Sequence, residues 1–291
     1  MKFSIRAVAA AATGLVLAMS LGSVAAAPVP QFTIDTSAIN GGVTNLVVGD
    51  KFVGSSSELL TTSGNTHTAT GWLQLNYLDL LGTAQVGFGS LSGTTGLFVT
   101  FQLQDHYVSG GSGVNTVNSL NQIDILNFQL WADPLHNNVF TPASVTGNIG
   151  TDATYTGSSN DIMLGFGSLV AGVAGFNSLG GAYLNAIETF ALCTGANTAI
   201  FGSTPILNTG GLCASGEGKA FFVSPDPFYT LAFAELNNTT QGLSRSTDGT
   251  LVAINEATGA VDFTNVPEPG SMALVGLALL GLGVVRRNRK T

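Results

Sequence analysis

The sequence predicts an all-β protein, an antiparallel β-sandwich or barrel-like ectodomain, with an N-terminal signal helix and a C-terminal single transmembrane helix. Three observations predict it. Short runs of alternating apolar and polar residues recur through the middle of the chain, Gly-rich stretches separate them, and long uninterrupted apolar runs are confined to the two ends.

The alternation is clearest in Leu97–Gln104, where Val99, Phe101 and Leu103 share one face. Leu73, Leu75 and Tyr77 alternate likewise, as do Tyr229, Leu231 and Phe233. In Ile123–Trp131, Ile123 and Ile125 have one parity while Phe128 and Leu130 have the other, which predicts a bulge near Leu126-Asn127. Turns are expected at Ser109–Gly113, Thr156–Asn160, Asn208–Gly211 and Asp248-Gly249. The stretch Gly180–Leu192 reads equally as a short helix or a strand. Gly-Phe-Gly-Ser-Leu occurs at 87–91 and again at 165–169. Duplicated halves would explain that, but the flanking residues do not align, which points to chance.

Only 9% of the 291 residues are charged, against a usual share of about 25%, while Gly reaches 38 residues. Seventeen Phe argue against disorder. Six of the nine basic residues sit at the ends, so the segment 28–265 keeps Lys51, Lys219 and Arg245 against sixteen acidic residues, a formal −13. Such a surface repels phosphates, which excludes nucleic acid as an expected partner.

The ends read as addresses. Lys2 and Arg6 precede an apolar stretch, Ala7–Leu21, and small residues follow at Ser23–Ala27, the layout of a cleavable secretory signal. Pro28 disfavours cleavage directly before it, so the cut is expected after Ala25 or Ala26. That gives a signal peptide over 1–26, a β-rich extracellular domain over 27–265 and a tail over 266–291. In the tail, Pro267, Glu268 and Pro269 with Gly270 form a non-helical stretch. The uncharged run Ser271–Val285 follows, then the basic cluster Arg286, Arg287, Arg289 and Lys290. As a helix, 271–285 rises about 22 Å, short of a hydrocarbon core of about 30 Å unless the bilayer thins or the arginines snorkel. The basic cluster would stay on the cytoplasmic side and leave the body outside. An uncleaved N-terminal anchor and a permanent single-pass tail are the plainer alternatives.

This order of parts resembles the PEP-CTERM sorting signal. In proteins with that tail an exosortase of the inner membrane cuts near the motif and releases the protein towards the cell surface. The resemblance therefore implies an exosortase as partner, transient residence in the inner membrane of a Gram-negative-type bacterium, and a destination at the cell surface or in the extracellular matrix.

Cys193 and Cys213 are the two cysteines, and an even count in an exported chain predicts a disulfide, worth about 3 kcal/mol for so short a loop. Two free thiols are the alternative; a zinc site lacks ligands. Catalytic motifs are missing: His67, His106 and His136 belong to no HExxH, and no GxSxG occurs. The three histidines are expected at the surface or in turns. Asp105 is not expected to orient His106, because strand neighbours point to opposite faces. Glu217 and Asp226 could make a glycosidase-like pair, yet an acidic exported chain offers many such pairs. No cofactor or metal is expected, beyond adventitious or structural calcium in the Asp-containing loops.

Phe32-Thr33-Ile34-Asp35, then Gly49–Gly54 with Glu58, and Ala220–Tyr229 are similar to segments of flocculation-associated PEP-CTERM proteins, although Gly49 stands where Ala is expected. The resemblance brings no catalytic residues. It implies a non-enzymatic surface protein that acts with exopolysaccharide in aggregation. A carbohydrate-binding module, betrayed by a flat aromatic strip, and a polysaccharide hydrolase, betrayed by two close carboxylates in a pocket, are the rival expectations.

Overall fold

The structure is a computed structural model, and it describes residues 30–41, 43–88, 96–110, 117–156, 160–195, 217–238 and 242–264. The signal peptide over 1–26, the sorting tail, Cys213 and the turn at Asn208–Gly211 lie outside the described residues.

Eight long strands make the body: β3 (Lys51–Ser63), β4 (Thr66–Leu80), β6 (Gly96–Ser109), β7 (Leu120–Asp133), β12 (Ile162–Phe176), β13 (Ala182–Thr189), β16 (Leu231–Asn237) and β18 (Leu251–Thr264). Each pairs antiparallel with the next in chain order, and β18 pairs back onto β3. The sheet therefore closes on itself as an up-and-down barrel, which leaves these strands no free edge. Of the two architectures expected, the barrel is the one formed. The stretch 180–192, ambiguous between helix and strand, is strand: β13 over 182–189 and a short β14 (Ala191–Leu192).

Lumen-facing positions are apolar: Leu73 and Leu75 on β4, Val99, Phe101 and Leu103 on β6, Leu184 on β13, Val261 and Phe263 on β18. Gly71 faces inward too, because a Cβ there would lie 2.6 Å from the Phe101 ring and 2.5 Å from the Ser57 carbonyl. Polar side chains such as Gln102, Gln104 and Asn127 take the outer face, the inverse of a lipid-facing barrel with its apolar outer band.

Bulges correct two sequence expectations, and the bounds of β16 correct a third. The parity switch in β7 lies at Asp124, since Gln104 pairs with Ile125 and Asp105 with Ile123; Ile123 points in and Ile125 out. On β4, Asn76 is the extra residue, so Leu78 rather than Tyr77 joins Leu73 and Leu75 in the core. On β16, Leu231 and Phe233 do share a face, but Ala232 fills the lumen side, and Tyr229 precedes the strand. Where both copies of the pentapeptide are described they differ: Gly87 ends a short strand and Phe88 follows it, while 165–169 lies inside β12.

The remaining elements decorate the barrel. β1 (Phe32–Asp35), β2 (Leu46–Gly49) and β15 (Phe222–Ser224) form a three-stranded sheet in the order β15-β1-β2. With the short helices α1 (Ser37–Asn40) and α2 (Glu217–Phe221), it plugs one barrel mouth. Phe32 is the central ring of the plug, 5.3 Å from Phe52, 6.1 Å from Phe222, 6.0 Å from Phe228 and 5.2 Å from Phe263. β5 (Thr83–Gly87) extends β4. Two hairpin-like pairs, β8 (Val139–Thr141) with β11 (Thr154–Thr156) and β9 (Ser144–Thr146) with β10 (Ile149–Thr151), form a flap on the outer wall. Under that flap Trp72 meets Phe140 at 5.2 Å, and Phe98 meets Tyr155 at 5.1 Å. β14 (Ala191–Leu192) pairs β12, and β17 (Leu243–Arg245) pairs β18.

Candidate functional site

Strand registers fix which loops share an end. Lys51 opens β3, Leu80 closes β4, Leu231 opens β16 and Thr264 closes β18; Asp262 pairs with Lys51, Lys51 with Asp79, and Thr264 with Leu231. All lie at the plugged mouth. The chain thus enters its first strand in the plug and leaves its last strand beside it. β18 is hydrogen-bonded up to Thr264, so only Asn265 and Val266 separate a fixed strand from the Pro-Glu-Pro motif.

Beneath the plug the lumen encloses a cavity of about 50 Å³, walled by side chains including Leu75, Phe101, Phe128, Phe190 and Phe263, with Glu188 as the one ionisable lining residue among the described residues. Alternation along β13 turns Ala182, Leu184, Ala186 and Glu188 inward together. Glu188 is 1% exposed, and no other residue hydrogen-bonds its carboxylate oxygens. Burial pushes its pKa up to about 8; its own backbone amide opposes the shift, and Asp262 adds to it. At neutral pH Glu188 is a protonated acid in a greasy chamber. So small and closed a space admits a few atoms, not a sugar chain.

A polar group occupies the far end of the lumen. Glu58, Asp105 and Asn121 line a second cavity of about 30 Å³. The His67 Nδ1 lies 2.6 Å from Asp105 Oδ1, and the Asn121 amide donates to the same oxygen at 3.0 Å. Asp105 as acceptor places the Nδ1 proton on His67. Burial, then the charge of Asp105, raises Glu58 to about 7. A space of that size holds a water, and the unpartnered Glu58 Oε2 and Asn121 Oδ1 face a need for a donor.

His67 is 3% exposed, so the expectation of a surface histidine fails there. His106 is at the surface as expected, and its Nδ1 lies 2.8 Å from Asp124 across β6 and β7. His136 sits in the turn after β7 with φ of 51°. Asp105 indeed does not hold His106; it holds His67. Glu217 starts α2, while Asp226 follows β15 with Lys219 Nζ 4.0 Å away as its ionic neighbour. Cys193 is buried at 1% exposure, next to Met163 and Trp131. Among the described residues no trio of His, Cys, Asp or Glu is placed to hold a metal ion, and no helix is long and apolar enough to cross a membrane.

Sequence reasoning did not single out Glu188, named Glu58 only within a resemblance, and did not foresee His67 and Asp105 paired in the interior. The signal existed: Asp105 continues the inward parity of Val99, Phe101 and Leu103, and His67 that of Leu73 and Leu75.

The last described residue leads straight into an address. Residues 265–290 match the PEP-CTERM protein-sorting motif. The chain therefore carries a PEP-CTERM sorting signal over these residues, which marks it as exosortase-targeted and implies export across the membrane towards the cell surface. No curated protein and no solved structure matches the chain.

Proposed function

We propose that this protein is a non-enzymatic surface or matrix component, released by exosortase cutting, that promotes aggregation with exopolysaccharide. The observation that carries the reading is the sorting motif joined by two residues to a closed barrel. Three further features support it. The ionisable groups of the lumen are sealed: Glu58, His67, Asp105 and Glu188 are all buried, out of reach of a polymer substrate. The separated islands similar to flocculation-associated proteins meet in one place, since Phe32 and Phe222 of the plug pack against Phe52 of the barrel. The outer wall carries rows of hydroxyl and amide side chains in register, Thr70 beside Gln102 beside Asn127 beside Ser168. Such rows suit weak, repeated hydrogen bonding to sugar hydroxyls.

The binding-module reading is less favoured, because every described aromatic ring is buried or half-buried and forms no flat strip. The Cys193–Cys213 disulfide belongs to the same proposal and would fasten the chain after β14 to the wall.

Deleting the gene and scoring flocculation tests the reading, with polysaccharide yield as control. The expected result is dispersed cells at unchanged yield. Normal flocs from the deletion strain would end it.

A further inference from the structure

We propose that the plugged mouth of the barrel docks on the lipid surface while the tail is still uncut, with Leu46, Val48, Leu81, Val43 and Val223 entering the headgroup region. The inference rests on the sorting-tail reading and adds an orientation and a partner surface to it.

Reach decides which end faces the bilayer. Six residues, 265–270, lie between Thr264 and the apolar run that begins at Ser271. Fully extended they span at most about 21 Å. β18 alone has 14 residues, and at about 3.3 Å per residue its length is roughly 46 Å, still about 35 Å along a barrel axis when tilted. The far end therefore lies well beyond the tether, and the plugged end is held against the membrane.

Exposed apolar side chains occur at both ends, with Val108, Val117 and Leu179 at the far one, so reach picks the end and its apolar rim then supplies the contact. Val43, Leu46, Val48, Leu81 and Val223 are each between 40% and 90% exposed. Leu46 and Val48 lie on edge strand β2, Val223 on the other edge strand β15, and Leu81 in the β4–β5 turn that β2 approaches. Three carboxylates of this end are turned onto local backbone donors, while Asp226 stays exposed beside Lys219. Asp50 accepts from the Leu81 N–H at 2.7 Å, Asp79 from the Gly82 N–H at 2.7 Å, and Asp35 from the Ser37 N–H at 2.9 Å. An exposed apolar rim without a packed neighbour marks a contact surface. The tether supplies the bilayer as its occupant, at an effective concentration that offsets weak intrinsic affinity. Cutting the tail removes the tether, and docking of this strength then releases.

The test uses the full chain in phosphatidylethanolamine–phosphatidylglycerol vesicles with brominated acyl chains. Leu46→Trp, Leu81→Trp and, at the opposite end, Asn65→Trp report proximity to lipid; native Trp72 and Trp131 are buried and give a low background. The expected result is a loss of about half the added emission for the first two variants and none for Asn65→Trp. Retention of the chain at alkaline pH with positions 46 and 81 unquenched would overturn the docking alone. Extraction of the chain at alkaline pH would overturn the tail reading and the docking with it. Quenching that appears only when exosortase is added would overturn lipid as the occupant in favour of the enzyme.

Discussion

Replacing Glu188 with Gln is expected to remove most of the pH dependence of stability between pH 5 and 9. The wild-type barrel should melt roughly 10 °C lower at pH 9 than at pH 5, since several kcal/mol of a 230-residue fold shift Tm by about 2–4 °C each. The sign follows from linkage. The folded pKa of Glu188 is about 8, above the ordinary 4.5 of an exposed Glu, so the native state holds a proton that the unfolded chain releases. That contribution is fully present below about 4.5 and is lost as pH rises through 8. Glu58, raised to about 7, acts in the same direction and leaves a smaller residual slope in the variant. Glu188→Leu should go further and raise Tm at every pH, because it fills an apolar chamber and removes a carboxyl that no other residue hydrogen-bonds. Thermal unfolding followed by circular dichroism over that range checks both. A wild-type Tm that does not change with pH, or a Gln variant with the wild-type slope, would contradict the buried, protonated assignment.

Phe222→Ala carries the second large effect. Phe222 is 2% exposed and lies 4.6 Å from Phe228, 5.0 Å from Phe221, 5.6 Å from Phe263 and 5.9 Å from Phe190, ring centre to ring centre. Removing it leaves a cavity where the plug meets the barrel, and such truncations cost about 3–5 kcal/mol. A fall in Tm of about 10 °C is expected. A second consequence separates this explanation from generic destabilisation. With the mouth loosened, water reaches the lumen, the burial that raises Glu188 weakens, and the pH slope of Tm should shrink. A Phe222→Ala protein that melts within 2 °C of wild type would show that the plug does not support the barrel.

Much of the fold was legible in particular residues. Val99, Phe101 and Leu103 lie in the lumen as their alternation says, and Asp248-Gly249 makes its turn after β17. Alternation fails at bulges, because one extra residue inverts every later side chain; Asp124 and Asn76 do this, and neither carries a local mark. Closure of the barrel was not legible either. It depends on Val261 of β18 meeting Phe52 of β3, a pairing across some two hundred residues that local patterns do not encode. The candidate site was legible in its address and not in its interior. Glu188 stayed hidden because its segment read as helix or strand, and only strand parity turns it inward with Leu184 and Ala186. The three Phe-bearing islands lie far apart along the chain, and folding brings them together where the plug meets the barrel.

The most direct measurement is subcellular fractionation of the tagged full chain beside a version lacking 265–291, in cells with and without an exosortase. The tail-bearing chain is expected in the inner membrane when the enzyme is missing and shortened at the cell surface when it is present, while the truncated barrel bypasses the membrane. Uncut chain in the cytosol, or the same destination with and without the tail, would contradict a barrel delivered by its last residues.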